Sequence, residues 1–353
     1  MKKQPFFSIT MPVYNSEGYL SKAIESILNQ TFTDFELILV EDDSNDNSYV
    51  ICAKYASKDD RIILKRTAEH LGVANVRNEG LKWISGKYLT FVDSDDFIDN
   101  DLLEIVQKKL SEHKVQVLKY GCIEEYYTSE GTLAGSKEIA LREQYITNIT
   151  EIRRHILEIE QMPLFGYLWN SFYDIKALKI KERRFDLEYE VNEDFMFNLN
   201  IFDDVEYLYC LNNCGYHYAK RVSNSLSTKK NSKYYSLHMA KINNLIKKYE
   251  KWCLLNNIVL QNIFWLYTRY IYSAIARSIK ENTVRNIFLF LDEIFESELF
   301  LQYRTVNFSD ALFKQRILVN VLKSRKKFLI ILMCGCISFV KNHFRLMFAR
   351  IKR

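Results

Sequence analysis

Short apolar runs alternate with helical patterns over the first 120 residues, and this alternation constrains the fold more than any other feature of the chain. The strand-like runs are 7–14, 35–40, 61–65, 87–92 and 115–120. Helices are predicted between them, over 17–30, 46–57, 73–84 and 99–111. Strands that alternate with helices in this way indicate an α/β fold, in which a mostly parallel sheet is flanked by helices.

Polar residues follow three of these strands at their carboxyl ends. Tyr14 and Asn15 end the first strand, VEDDSND (40–46) ends the second, and VDSDD (92–96) ends the fourth. Ligands bind at the carboxyl ends of the strands in such sheets, so we expect these residues to meet at one edge. The alternative is that they are ordinary turn and cap residues, and Asn15 or Ser16 is the predicted N-cap of the first helix.

Three carboxylates lie within four residues, at Asp93, Asp95 and Asp96. They repel one another at neutral pH unless a positive charge lies among them. Oxygen ligands without sulfur suit hard cations, which predicts Mg²⁺ or Mn²⁺ bridging the carboxylates to substrate phosphates. No GxGxxG follows the first strand and no GKS or GKT occurs, so neither the dinucleotide fingerprint nor the P-loop is present.

The cysteines, the histidines and the N-terminus argue against other classes of protein. Seven Cys and six His are scattered without CxxC or HExxH spacing. This pattern argues against a zinc site and a disulfide framework, and it predicts reduced thiols in a cytoplasmic protein. The N-terminus lacks a sustained apolar segment, so a secretory signal is not expected.

The pattern becomes less regular from about 120 to 225, where turns are expected in SEGTLAGSK (129–137), and it is helical after 230. A boundary is predicted near 228, within the Ser-, Lys- and Asn-rich segment SLSTKKNSK. The predicted division is a nucleotide-sugar-binding half over 1–112, an acceptor-binding half over 113–228 and a helical region over 229–353.

Charge is distributed unevenly along the chain, although its net value is only +5. Residues 311–353 contain eleven Lys and Arg and no Asp or Glu, whereas the remainder contains 38 basic and 44 acidic residues. A basic end on an acidic body indicates a polyanionic partner. The 13-residue apolar run 328–340 is shorter than a bilayer span of ~20 residues. We therefore predict a basic amphipathic helix on the inner leaflet of the cell membrane. A core helix is the alternative, and nucleic acid is not expected because no recognisable motif is present.

Three segments together resemble the inverting family 2 glycosyltransferases with the A-type fold, enzymes of capsule, lipopolysaccharide and teichoic acid assembly. They are ITMPVYNSEGYLSKAIESILNQTFTDFELILVEDDSNDNS (9–48), GVANVRNEGLKWISGKYLTFVDSDDF (72–97) and EVNEDFMF (190–197). The resemblance is dense over 7–112 and returns at 160–228. It implies a Rossmann-like sheet and a nucleotide-diphospho-sugar donor.

For the donor, the resemblance implies a nucleoside-binding turn formed by Pro12, Val13, Tyr14 and Glu17. Tyr14 would contact the base and Asp42 the base edge, although Glu41-Asp42-Asp43-Ser44 replaces the family's Asp-Asp-Gly-Ser. Arg77 and Ser94 would lie near the nucleotide-sugar. Asp93 and Asp95 match the acids that hold Mn²⁺ or Mg²⁺, with Asp95 as the direct ligand and Asp93 nearer the sugar or ribose. Asp96 is expected to be a helix-side cap.

For the acceptor, the resemblance aligns Asp194 with the general base that deprotonates the acceptor hydroxyl, and Glu193 lies beside it. The residues alone equally fit two acids in the first turn of a helix. Trp169 would stack on a sugar face or be buried. Arg221 and Ser225 would approach the diphosphate, unless their segment is only a basic linker.

These features predict a metal-dependent, inverting transferase that moves a sugar from a UDP-sugar to a glycan or lipid-linked oligosaccharide in surface polysaccharide synthesis. Two alternatives are a non-catalytic nucleotide-sugar-binding subunit of another transferase and a nucleotidyltransferase. The retained acids Asp93, Asp95 and Asp194 argue against the first. The second normally has a glycine- and Lys/Arg-rich loop after strand one, and PVYNSEGYL (12–20) is not such a loop.

Overall fold

A computed structural model describes residues 4–189, 192–221, 234–309 and 311–343. The chain divides into two compact units, Met1–Lys229 and Lys230–Arg353. The further division of the first unit into donor and acceptor halves stays a prediction.

The first unit contains one large and one small sheet. The large sheet consists of β1 (Phe7–Val13), β2 (Phe35–Glu41), β3 (Ile62–Arg66), β4 (Tyr88–Phe91), β6 (Val117–Tyr120), β9 (Gln144–Ile146), β10 (Ser171–Asp174) and β11 (Leu208–Leu211). Its strand order is β3-β2-β1-β4-β10-β6-β11-β9. The small sheet consists of β5 (Phe97–Ile98), β7 (Cys122–Tyr127), β8 (Leu133–Ile139) and β12 (Tyr216–Lys220), in the order β5-β12-β7-β8.

Helices connect these strands. They are α1 (Leu20–Leu28), α2 (Ser48–Ala56), α3 (Val73–Gly80), α4 (Leu102–Glu112), α5 (Ile149–Gln161) and α6 (Glu193–Ile201), with a 3-10 turn at Ile180–Glu182. The apolar stripe of α1 is buried at Leu20, Ala23, Ile24 and Ile27. All residues of β2 are buried, which fits a central strand that is covered on both faces.

The α/β fold is confirmed, and the large sheet is mixed. β3, β2, β1 and β4 are parallel neighbours, as the alternation predicts. Beyond β4, the strand β10 is antiparallel to both of its neighbours, β6 and β11 are parallel, and β9 is antiparallel. The parallel half places the carboxyl ends of β2, β1 and β4 at one edge.

Two local expectations are wrong. The first helix begins at Leu20 with Tyr19 at its N-cap, so neither Asn15 nor Ser16 caps it. The stretch 129–137 is not only turns, because residues from Leu133 onward form β8 and pair with β7 as a hairpin. Alternating exposed and half-buried residues along β8 are typical of an edge strand, and they weaken its apolar signal in the sequence.

The second unit is helical, as predicted. It contains α7 (Tyr234–Lys251), α8 (Asn257–Glu281), α9 (Val284–Glu296), α10 (Glu298–Thr305), α11 (Phe313–Lys323) and α12 (Lys327–His343). α12 packs on α8 through Cys334 and buries Ile330, whereas Phe328, Leu332 and Phe339 of the same helix are exposed. Within the described ranges, none of the helices combines the length and the apolar character needed to cross a bilayer.

Candidate functional site

The loops that follow β1, β2 and β4 are joined by hydrogen bonds at the carboxyl edge of the sheet. The Asn15 backbone N–H donates to Ser44 Oγ at 3.0 Å, which ties the first loop to the second. The hydroxyl oxygens of Ser16 and Ser94 lie 2.7 Å apart, which ties the first loop to the third. The predicted meeting of the three strand ends is therefore present.

Asp42, at the end of β2, is buried and organises the loop 67–72 in front of α3. Its Oδ1 accepts hydrogen bonds from Thr67 Oγ1 at 3.0 Å and from the Leu71 N–H at 2.9 Å. Its Oδ2 accepts from the Gly72 N–H at 2.9 Å and lies 2.8 Å from His70 Nδ1. The predicted base-contacting acid is thus fully engaged by a single neighbouring loop.

Tyr14 and His70 form a stacked pair at the same edge. Their ring centroids are 3.9 Å apart and the ring planes are inclined by 20°. The sequence reasoning did not single out His70, because an isolated histidine in a polar loop carries no signal of its partners.

The Gly-to-Asp departure at position 43 leaves the loop in a left-handed conformation. Asp43 has a φ of 52°, a region that glycine adopts without strain and that Asp tolerates better than most residues. Its Oδ1 pairs with Arg66 Nη2 at 3.0 Å. The backbone geometry that a glycine would favour is therefore present with an aspartate in its place.

Arg77 joins the two groups of acids that the sequence predicts. It projects from α3, is buried, and its Nη1 lies 2.9 Å from Glu193 Oε1 and in contact with Asp194 Oδ1. Its Nη2 lies 3.7 Å from Asp93 Oδ1. The structure thus brings Asp93 and Asp194 to opposite sides of one guanidinium. Arg77 Nε is buried without a hydrogen-bond partner among the described residues.

Burial shifts the ionisation of these acids upward. It raises the pKa of Asp194 well above its ordinary value, Arg77 opposes this shift, and the charges of Glu193 and Asp93 add to it. Burial likewise raises the pKa of Asp93 to about 6, against the effect of Arg77. Carboxyl groups with raised pKa values are stronger bases than free aspartate, which suits Asp194 to proton abstraction.

Asp95 and Asp96 differ in their surroundings. The side chain of Asp95 is 54% exposed and lies 3.4 Å from Arg221 Nη1. Asp96 is buried, and it accepts hydrogen bonds from Tyr216 Oη at 2.9 Å and from the Ala219 N–H at 2.8 Å. Asp96 therefore anchors β12, the strand that leads to Arg221, and the expectation that it caps a helix is wrong.

The acids were tested for their fit to a divalent cation. Among the described residues, no three His, Cys, Asp or Glu side chains are grouped closely enough to hold a metal ion. Asp93 and Asp95 are oxygen ligands of the type that Mg²⁺ and Mn²⁺ prefer, so they fit as a partial set that diphosphate oxygens and water would complete. The positive charges next to them in this structure are Arg77 and Arg221.

The expectation that Trp169 stacks on a sugar is not supported, and the buried alternative describes its position. One neighbour of the buried indole is Tyr216, with centroids 4.2 Å apart and planes inclined by 8°, and the other is Tyr167 at 4.5 Å and 21°. A sugar ring cannot stack on the indole while these two rings are in place. Trp169 is thus part of the support behind Asp96.

A buried lysine behind the site was missed. Lys119, on β6, donates to Ser171 Oγ at 2.7 Å and to Asn170 Oδ1 and the Tyr167 carbonyl at 3.2 Å each. Burial lowers its pKa to about 7. A lone lysine in an apolar strand gives no sequence signal that distinguishes it from a surface residue.

The remaining predicted residues lie close by but make structural contacts. Val13 is buried at the end of β1 next to Pro12. Glu17 accepts hydrogen bonds at 2.9 Å from both the backbone and the side-chain nitrogen of Asn47, before α2. Ser225 lies outside the described residues.

Comparison with known proteins identifies the likeness. The family model described as "Glycosyl transferase family 2" matches residues 8–168. Glycosyltransferase GlyA of Streptococcus pneumoniae is 32% identical over 219 residues, which cover 61% of this chain and 30% of GlyA. Minor teichoic acid biosynthesis protein GgaB of Bacillus subtilis is 34% identical over 239 residues, covering 66% of this chain and 25% of GgaB. The chain therefore spans less than a third of either relative.

The fold is shared with a solved structure. The crystal structure of S. aureus TarS 1-349 in complex with UDP-GlcNAc superposes with a TM-score of 0.63 at 20% identity, covering 92% of this chain and 89% of that one. At this identity the likeness concerns the fold. The resemblance and the A-type fold expected from the sequence are both confirmed.

Proposed function

The chain carries a glycosyl transferase family 2 domain, and from this premise we propose that it transfers a sugar from a nucleotide-diphospho-sugar to a hydroxyl group of a glycan or lipid-linked acceptor. The observation that carries the proposal is the convergence of Asp93 and Asp194 on Arg77. A transferase needs a donor-binding acid and a base for the acceptor within one sugar's reach of each other, and this convergence supplies both.

The donor is proposed to be a UDP-sugar. Tyr14 and Asp42, at the ends of adjacent strands, would contact the base, as Pro12, Val13 and Glu17 shape the turn beside them. TarS, which has the same fold, was crystallised in complex with UDP-GlcNAc, and this supports the choice of a UDP-sugar. Arg77 and Arg221 would face the diphosphate, and Ser94 lies between the two loops that flank it.

The transfer step is proposed to be a single displacement. Asp194 accepts the proton of the acceptor hydroxyl as its oxygen bonds to the anomeric carbon, and Glu193 lies beside the incoming acceptor. The bond from that carbon to the diphosphate oxygen breaks, and both bonding electrons leave with the nucleoside diphosphate. Attack from the face opposite the leaving group inverts the anomeric centre. The raised pKa of Asp194 strengthens it as a base.

Asp95 is proposed as the direct ligand of Mg²⁺ or Mn²⁺, with Asp93 as the second. When bound, such an ion stabilises the negative charge that develops on a departing diphosphate. The exposure of Asp95 leaves its carboxylate open to an ion that arrives with the donor.

The acceptor is proposed to be a surface polysaccharide or its lipid-linked precursor, at the inner face of the cell membrane. GgaB is named for minor teichoic acid biosynthesis. The exposed apolar residues of α12 lie in the segment that holds eleven basic and no acidic residues. Apolar and basic groups together favour an anionic lipid surface.

One observation keeps a second candidate function in view, a non-catalytic nucleotide-sugar-binding subunit. Arg77 neutralises part of the charge on Glu193 and Asp194, so these acids could be retained as a structural ion-pair network without any catalytic need. The two functions differ in turnover and not in donor binding.

The test compares wild type with Asp194→Asn across UDP-, GDP-, CMP- and dTDP-sugars, with and without Mn²⁺, by calorimetric binding and by donor turnover. We expect one UDP-sugar to bind both proteins, and the variant to lose roughly 10²–10⁴-fold in turnover. Asp60→Asn makes the same chemical change at an exposed loop residue and should behave as wild type. Equal turnover in all three proteins contradicts the role of Asp194. Donor binding with no turnover in any of them, even with polysaccharide acceptors, favours the binding subunit.

A further inference from the structure

We propose that the imidazole of His70 occupies the nucleobase position of the donor site, so that a donor binds only after this ring has moved away. The inference rests on the proposed function, since it assumes that Tyr14 and Asp42 receive a base. It adds a self-occluding residue that competes with the donor for the same two groups.

The first ground is that His70 already makes both contacts assigned to the base. Its ring stacks on Tyr14 with centroids 3.9 Å apart, which is the spacing of a base on an aromatic side chain. Its Nδ1 lies 2.8 Å from Asp42 Oδ2. An ionised carboxylate only accepts hydrogen bonds, so Nδ1 carries the hydrogen. A flat ring that presents an N–H to Asp42 is what a pyrimidine base would also be.

The second ground is the saturation of Asp42. A carboxylate offers about four acceptor positions, and four donors already lie around this one: Thr67 Oγ1, the N–H groups of Leu71 and Gly72, and His70. The first three belong to the folded loop. A base N–H therefore reaches Asp42 by replacing the imidazole.

The third ground is that the imidazole can leave at low cost to the loop. The loop keeps three hydrogen bonds to Asp42 after the ring departs, together with the bond from the Thr67 N–H to the Glu41 carbonyl at 2.9 Å. The His70 side chain is 49% exposed, so a rotation about its own side-chain bonds carries the ring into solvent. Displacement thus requires a side-chain movement and no refolding of 67–72.

The consequence is a filter on ligands. A nucleotide regains the stacking and the hydrogen bond that the imidazole gives up, whereas a phosphate compound without a base regains neither. Occlusion lowers the apparent affinity for the nucleotide by the fraction of molecules in which the ring is out. Removing the ring should therefore tighten nucleotide binding, which is the opposite of what is expected for a side chain that forms a wall of the site.

The experiment titrates the full chain with UDP by calorimetry, for wild type, His70→Ala and His70→Asn. We expect His70→Ala to bind UDP about fivefold more tightly or better. His70→Asn keeps an amide donor for Asp42 without the stacked ring, so its affinity should fall between the two. Inorganic pyrophosphate, which has no base, should bind all three proteins equally.

His113 provides a matched control, because it also packs on a tyrosine, with its ring centroid 4.8 Å from that of Tyr145. His113→Ala should leave the UDP affinity unchanged. Unchanged or weaker UDP binding in both His70 variants overturns the occlusion while the proposed function stands. A wild type and variants that bind none of UDP, GDP and dTDP overturn the proposed function and the inference together. Circular dichroism of each variant identifies a loss of fold.

Discussion

At the scale of single residues, Arg77 determines how the acids of this site coexist. Glu193 and Asp194 lie on one of its terminal nitrogens and Asp93 near the other. Burial of three carboxylates without a cation would be prohibitively costly. The guanidinium therefore stabilises the ionised form of each acid, and it does so most directly for the proposed base.

This placement predicts the pH dependence of the reaction. The ionised form of Asp194 is the active one, so the rate falls as the pH is lowered through its raised pKa. Because Arg77 holds that pKa down, Arg77→Met should raise it further and move the acidic limb of the kcat/KM profile to higher pH. Arg61→Met removes an arginine that pairs with Asp59 elsewhere and should leave the limb in place. A limb that does not move in Arg77→Met would show that Asp194 does not set it.

At the scale of elements, the position of Arg77 depends on how closely α3 approaches β1. Gly80, in the last turn of α3, faces Thr10 of β1, and a Cβ at this glycine would lie 2.4 Å from Thr10 Cγ2. Thr10 is buried and β-branched, so its methyl group has little room to yield. The glycine thus lets the helix lie against the sheet and fixes the depth at which Arg77 enters the site.

Two glycine substitutions in helices should consequently have opposite effects. Gly80→Ala forces α3 away from β1, and we expect it to destabilise the first unit by about 1–3 kcal/mol and to lower donor turnover through Arg77. Gly335, in α12, has no atom within 4 Å of its ideal Cβ. Gly335→Ala should therefore follow helix propensity and stabilise its unit by about 1 kcal/mol. Differential scanning calorimetry measures both, and a stabilised Gly80→Ala would contradict the close approach.

The sequence predicted the elements better than their contacts, for a physical reason. Strand and helix periodicity is local, so β1 to β4 and α1 to α4 were placed within a few residues. The pairing of Arg77 with Asp194 joins residues 117 apart and depends on where the crossovers set α3 and α6. The edge of the sheet was predictable from strand order. The saturation of Asp42 by its own loop, the stacking of His70 and the burial of Trp169 were not, because each depends on tertiary packing.

At the scale of the whole molecule, charge and apolar exposure coincide at one end of the chain. The exposed apolar residues Phe328, Leu332 and Phe339 lie on α12, at helical spacings of four and seven. Phe328 and Leu332 are 76% and 64% exposed. The same terminal segment, 311–353, carries a charge of +11 in a chain whose remainder is acidic. A basic, apolar surface of this kind favours contact with anionic lipid over contact with an acidic protein groove, which would leave the phenylalanines in water.

This coincidence predicts salt-sensitive binding of the full chain to anionic vesicles. Co-sedimentation with phosphatidylglycerol-containing vesicles should exceed that with pure phosphatidylcholine, and it should weaken as salt screens the basic residues. Phe328→Glu/Leu332→Glu removes apolar contact and adds two negative charges, so we expect at least about a tenfold loss of binding. Leu133→Glu/Leu187→Glu makes the same change at two exposed leucines of the first unit, 54% and 56% exposed, and should bind as wild type. Equal losses in both double variants would mean that net charge alone governs the binding. Unaltered binding in the α12 variant would exclude this helix as the contact, because no lipid surface tolerates two buried carboxylates without cost.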